Sequence, residues 1–158
     1  MKHGGPLKRH TPLKRGGSLR RQSSKTAALE RKARGARVRW KNEAGCCMLC
    51  GHSSRNPWPD KPLACSKLEA HEICNGTGYR LRALDKPWAV LIACSFCNQH
   101  VLTKKAVWPE ARQLCLLLVR AIERYNLIAY LEFTSPQALR RITQEEVEAY
   151  LPTIPQGA

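Results

Sequence analysis

The chain has 158 residues, with 27 Lys and Arg against 12 Asp and Glu and a formal net charge of +15, long enough for one compact domain with tails. No stretch approaches the ~18–20 apolar residues that a membrane-spanning helix needs, and the most apolar window, ARQLCLLLVRAI, contains Arg112 and Arg120. The charged N-terminus has no apolar segment after it and so does not read as a secretory signal; a cytoplasmic, reducing setting is expected, in which the eight cysteines serve as metal ligands or free thiols rather than disulfides.

The charge is unevenly placed. Residues 1–41 hold 14 Lys and Arg and one acid, Glu30, whereas residues 42–158 hold 13 basic and 11 acidic residues. A basic arm on a near-neutral body predicts a nucleic-acid partner, DNA with RNA as the alternative, over a merely solubilising tail. Within the arm, GPLKRH, TPLKRG and GSLRRQ repeat with a period of six. One Leu per unit cannot build a core, and Pro6 and Pro12 oppose regular structure. Residues 1–25 are therefore expected to be disordered when free, with Lys8, Arg9, Lys14, Arg15, Arg20 and Arg21 spaced along phosphates.

From Ser24 the segment SKTAALERKARGARVRWKNEAG is dense in helix formers and predicts a basic helix over 26–45, with Gly35 its weakest point. Next come CCMLCGH and a Pro-, Ser- and Asn-rich loop, then LACSKLEAHEI, which ends in a strand carrying His71 and Glu72, and a turn at CNGTGYR. The apolar run in PWAVLIACSFC is short enough for a strand. Beyond it, residues 107–158 read as helical. Apolar residues at 114, 117, 118, 121, 122 and 125 keep helical spacing after Pro109, a short helix is expected from Ser135-Pro136, and Thr143 with Glu146 spells a capping box. Cys115 falls in the helical core pattern and is expected to pack rather than ligate.

Cys47-x2-Cys50 and Cys94-x2-Cys97 are two metal knuckles, each able to present two thiolates to one ion because a tight turn brings the second sulfur beside the first. Gly51 follows the first pair, and the 43 residues between the pairs exceed a simple zinc ribbon, so a segment is inserted. A shared structural zinc is predicted; neither pair sits in the βαβ context of a thioredoxin-like redox site. Cys46 could stand in for Cys47, while Cys65 and Cys74 are expected to be buried or free. The insert holds His71 and Glu72, with Arg80 and Arg82 following. Adjacent strand residues point to opposite faces unless a bulge or the strand end re-aims one. A ligand, a base and phosphate-binding cations are nonetheless all within this short stretch.

Over residues 46–100 this order of motifs resembles the HNH endonucleases, and more narrowly the small phage and prophage members that carry HEI…G…R. The PLK repeats of the arm and the segment WPEARQL resemble the same group. The resemblance implies an α+β fold: a small ββα-metal core over 46–106 with a structural zinc, flanked by helices, on which a hairpin and a helix clasp a catalytic divalent ion. It implies structural zinc on Cys47, Cys50, Cys94 and Cys97, and a catalytic Mg or other divalent ion held by His71 with Asn98 or His100. His71 and Glu72 occupy the two leading histidine positions of the family motif, ligand and base respectively, and Arg80 and Arg82 would neutralise phosphate, Arg80 at the catalytic centre. The chain departs from the pattern in three places. Glu72 replaces the basic His, and with a reference pKa of ~4.3 a carboxylate is a weaker base unless burial raises it. Asn98 stands where a metal-binding His usually follows the last Cys, with His100 two residues on. Ala89 takes the position of the family's middle Asn. The implied function is metal-dependent DNA cleavage. A zinc-containing DNA- or RNA-binding protein with a degenerate site is the alternative, and a structural part of a ribonucleoprotein a third reading.

Overall fold

The computed structural model describes residues 24–53, 67–74, 83, 85–134 and 142–155. The expected arm residues Lys8, Arg9, Lys14, Arg15, Arg20 and Arg21, together with Cys65, Arg80, Arg82 and the helix start at Ser135-Pro136, lie outside the described residues. The rest is a mixed α+β structure, mostly helical, around a single two-stranded sheet.

Helix α1, Ser24–Ala44, has Ala33 and Trp40 buried and Ala36, Arg37 and Ala44 half-buried, a spacing that puts one stripe on the core. It stops at Gly45, whose φ of +63° and N–H donated to the Lys41 carbonyl at 3.0 Å form a left-handed C-terminal cap that glycine adopts without penalty. Gly35 is exposed with open space around it, so it interrupts helix propensity without interrupting the helix.

Strands β1 (Leu68–Glu72) and β2 (Val90–Cys94) pair antiparallel, Leu68 opposite Cys94 and Glu72 opposite Val90. All five residues of β2 are buried; the run VLIAC does not alternate because both of its faces are covered. α1 lies on one face. The other carries a π-helical segment, Cys97–Leu102, and helix α2, Glu110–Arg120. π turns are rare and concentrate at functional sites, and no pattern in the sequence announces this one.

α2 starts directly after Pro109 and buries Gln113, Leu114, Cys115, Leu116 and Leu117. It is shorter than the apolar spacing predicts: at Ala121 the backbone turns (φ −154°, ψ 63°), and Ile122–Arg124 form a 3-10 turn that leaves Ile122 exposed. The turn carries Arg124 inward. Its guanidinium donates to the Val90 carbonyl and, at 3.3 Å, to the Pro87 carbonyl, and lies 5.1 Å over the Trp40 ring, tying α1, β2 and the end of α2 together. Helix α3, Leu127–Thr134, starts where Asn126 Oδ1 accepts the Ala129 N–H at 2.9 Å, an Asn N-cap that the sequence reading passes over. Tyr130 and Phe133 of α3 meet the Trp88 ring edge-on. The short helix α4, Gln144–Glu148, opens on a complete capping box: Thr143 Oγ1 accepts from the Glu146 N–H and Glu146 Oε2 accepts from the Thr143 N–H. Cys115 is fully buried in the core.

Removing the Arg124 fork strands two backbone carbonyls in the core, and hydrogen bonds to charged donors contribute about 1.5–3 kcal/mol. Arg124→Ala is expected to lower unfolding free energy by about 3 kcal/mol in denaturant titrations, whereas Thr143→Ala, which removes only the cap, costs about 1 kcal/mol.

Candidate metal centre and the His71 network

The first knuckle is built by backbone. The Cys47 N–H donates to the His52 carbonyl and the Gly51 N–H to the Cys47 carbonyl, both at 2.8 Å, and Gly51 sits at φ +70°. Only a residue without Cβ takes that conformation at no cost, which is why the knuckle ends Cys-Gly. Met48 then docks on the sheet: its N–H donates to the Ile92 carbonyl at 2.9 Å. The second knuckle spans the end of β2 and the start of the π-helical segment, where the Cys97 N–H donates to Cys94 Sγ at 3.4 Å.

The two knuckles meet. The sulfurs of Cys47, Cys50, Cys94 and Cys97 all lie within 4.8 Å of one another, with Cys50 Sγ 3.9 Å from Cys94 Sγ. A tetrahedral zinc with bonds of about 2.3 Å sets its sulfurs about 3.8 Å apart, so the set fits a structural zinc. Cys46 is half-buried and not among the four, which decides between it and Cys47. The side chains also show the electrostatic need. Cys97 hydrogen-bonds to Cys47, pulling the Cys47 thiol down to about 5, and Cys97 itself is pushed up by the same contact; burial pushes Cys94 up to about 12. Four converging sulfurs become thiolates together only when a cation balances them. Cys74 is elsewhere, buried beside Tyr130, and burial pushes its thiol up to about 11.

Next to this cluster, His71 is buried on β1. Its Nδ1 lies 2.7 Å from Asn98 Oδ1 on the π-helical segment, and its Nε2 lies 3.0 Å from Gln113 Oε1 on α2. Asn98 Nδ2 donates to Glu69 Oε2 at 2.8 Å, and Ser95 Oγ donates to Glu69 Oε1 at 3.0 Å. Burial lowers the His71 pKa; the hydrogen bond to Asn98 opposes this, and the charge of Lys105 adds to it.

Of the expected site residues, the structure brings His71 to Asn98 and does not bring Glu72 to that pair. Glu72 follows His71 on β1 and points to the opposite face, as pleating requires, where Arg37 of α1 forms an ion pair with it. Its influence on His71 is through the field alone. His100 is exposed, its ring 5.2 Å from that of Phe96. Ala89 is buried in the core beneath β2. Sequence reasoning missed Glu69 and Gln113. Glu69 had a signal, since i and i+2 on a strand share a face. Gln113 had a weaker one, a polar residue on the apolar stripe of α2.

Comparison with known proteins returned nothing: no protein-family model, curated protein or solved structure matches the chain. No helix among the described residues is long and apolar enough to cross a membrane.

The clasp makes a stoichiometric prediction. Purified protein is expected to hold one tightly bound zinc per chain by elemental analysis, to lose it on Cys47→Ser and to keep it on Cys46→Ser. Structural zinc is worth on the order of 10 kcal/mol of folding free energy, so stripping the metal with a chelator should abolish the cooperative thermal transition.

Proposed function

We propose that the chain is a metal-dependent endonuclease of HNH type, cleaving DNA phosphodiesters on a zinc-clasped ββα-metal core. The observation that carries this reading is the meeting of His71 Nδ1 and Asn98 Oδ1 at 2.7 Å, where the hairpin joins the π-helical segment, beside the four-cysteine cluster. An imidazole nitrogen and an amide oxygen suit a Mg²⁺-like or first-row divalent ion, whose remaining positions are left to water and phosphate oxygens. Bound there, such an ion would supply Lewis-acid stabilisation of the developing phosphorane and leaving-oxygen charge.

The chain's own residues divide the rest of the work. Glu69 holds the Asn98 amide by its nitrogen and so turns its oxygen to His71. Glu72 is the carboxylate available as base, and Arg37, bound to it, orients it and tempers its basicity. Arg80 and Arg82 follow the strand in sequence as phosphate contacts. α1 adds Arg31, Lys32 and Arg34, all exposed, to the phosphate affinity expected of the arm. Binding through such contacts weakens steeply with salt.

A second reading has one observation in its favour. Glu72 is engaged by Arg37 on the face of β1 away from His71, which suits a zinc-containing DNA- or RNA-binding protein whose site no longer cleaves.

Plasmid nicking with Mg²⁺, Mn²⁺ or Ni²⁺ separates the two. Cleavage is expected to depend on the ion and to fall at least about 100-fold in His71→Ala, since lost metal stabilisation of several kcal/mol translates to that factor. Asn98→Ala should fall in the same direction, with zinc content unchanged. Binding without ion-dependent nicking, or equal nicking by wild type and His71→Ala, would defeat the nuclease assignment.

A further inference from the structure

Gln113 is fully buried, and every polar atom of its side chain is used. Its Nε2 lies 2.8 Å from the Trp108 carbonyl and 3.1 Å from the Leu102 carbonyl. Both neighbours are acceptors, so the atom facing them must be the amide nitrogen. The carbonyl oxygen therefore faces His71 Nε2, 3.0 Å away, and that oxygen can only accept. Asn98 is locked by the same logic. Its Nδ2 donates to the Glu69 carboxylate at 2.8 Å, so its oxygen faces His71 Nδ1 at 2.7 Å. His71 thus has an acceptor on each side, and a neutral imidazole has one N–H.

We propose that Gln113 is a positioning residue that holds the His71 proton on Nε2, leaving the Nδ1 lone pair beside Asn98 Oδ1 as a preformed two-atom seat for a divalent cation. The proposal rests on the nuclease reading for the purpose of that seat, though not for its geometry. Two lone pairs at 2.7 Å repel unless a cation lies against both, whereas the Nε2–H···Oε1 bond is satisfied in the protein alone. Histidine ligands commonly donate their other ring N–H to a fixed acceptor, which sets tautomer and ring orientation. The fixed acceptor is usually a carboxylate or a backbone carbonyl; here it is an amide oxygen, and this choice has a consequence. A carboxylate at position 113 would favour the imidazolium, which cannot ligate, whereas a neutral amide supplies the hydrogen bond without the charge. Gln113 also joins the two elements involved. It bonds the end of the π-helical segment that carries Asn98, through Leu102, to the α2 helix that carries itself, so the spacing of His71, Asn98 and Gln113 is set by one side chain. Glu69, on the face of β1 that His71 shares, is the matching positioning residue on the other side.

The test reads the tautomer directly and does not need cleavage. Long-range ¹H–¹⁵N correlation spectra of the zinc-loaded protein at neutral pH should show His71 protonated on Nε2 and bare on Nδ1. Gln113→Leu, close in volume, should shift the proton towards Nδ1 and weaken Mn²⁺ binding, measured by calorimetry, by about 10–100-fold, with zinc retained. Gln113→Glu should raise the fraction of imidazolium and also weaken Mn²⁺ binding. Wild-type protein protonated on Nδ1, or on both nitrogens, would overturn the proposal even if Gln113→Leu failed to fold. An unchanged tautomer and unchanged Mn²⁺ affinity in a folded Gln113→Leu would overturn it too. Absence of nicking alongside the Nε2–H tautomer would count against the nuclease reading alone.

Discussion

Four sulfur atoms within 4.8 Å of one another decide where the rest of this chain sits. Two strands of five residues each are marginal as an isolated hairpin in water. Here the hairpin is gripped at its Cys94 end. One knuckle closes the loop after α1 and docks through Met48 on β2, and the other runs from β2 into the π-helical segment. Joining the knuckles therefore fastens three pieces of chain that are remote in sequence. The electrostatics agree with the geometry: without a cation, one sulfur of the group is held protonated against its neighbour, and a divalent ion lets all four act as thiolates.

Fastened in this way, the sheet has two distinct sides. On one, His71 and Glu69 face the π-helical segment and α2 and join Asn98, Ser95 and Gln113 in a continuous chain of hydrogen bonds. On the other, Glu72 faces α1 and pairs with Arg37, on a helix whose outer surface is strongly basic. The period-two alternation of a strand thus separates a candidate ligand from a candidate base that are adjacent in sequence. A polar network buried this deep is tolerated because nearly every member is satisfied, and the one contact the side chains leave unresolved is that between His71 Nδ1 and Asn98 Oδ1.

Much of this was legible in the residues. The Cys-x2-Cys pairs and Gly51 mark the knuckles because the turn chemistry is local. The Val90–Cys94 strand follows from a short apolar run, and the Thr143 capping box from two residues three apart. What was not legible depends on three-dimensional neighbours. The choice of Cys47 over Cys46 turns on the docking of Met48 against Ile92, which no local pattern states. The end of α2 at Arg120 reflects the burial of Arg124 against Trp40 and the carbonyls of β2, which outweighs the continuing apolar spacing. The His71–Glu72 pairing was read from adjacency, and the structure instead joins His71 to Glu69 through Asn98. Gln113 looks like an ordinary polar interruption of a helix until its three partners are seen together.

The clasp is the claim on which the site depends, and zinc K-edge X-ray absorption of the purified protein addresses it most directly. The account predicts a single first shell of four sulfur scatterers at about 2.3 Å. Nitrogen or oxygen scatterers in that shell, or fewer than four sulfurs, would contradict it, and would leave nothing to hold His71 against Asn98.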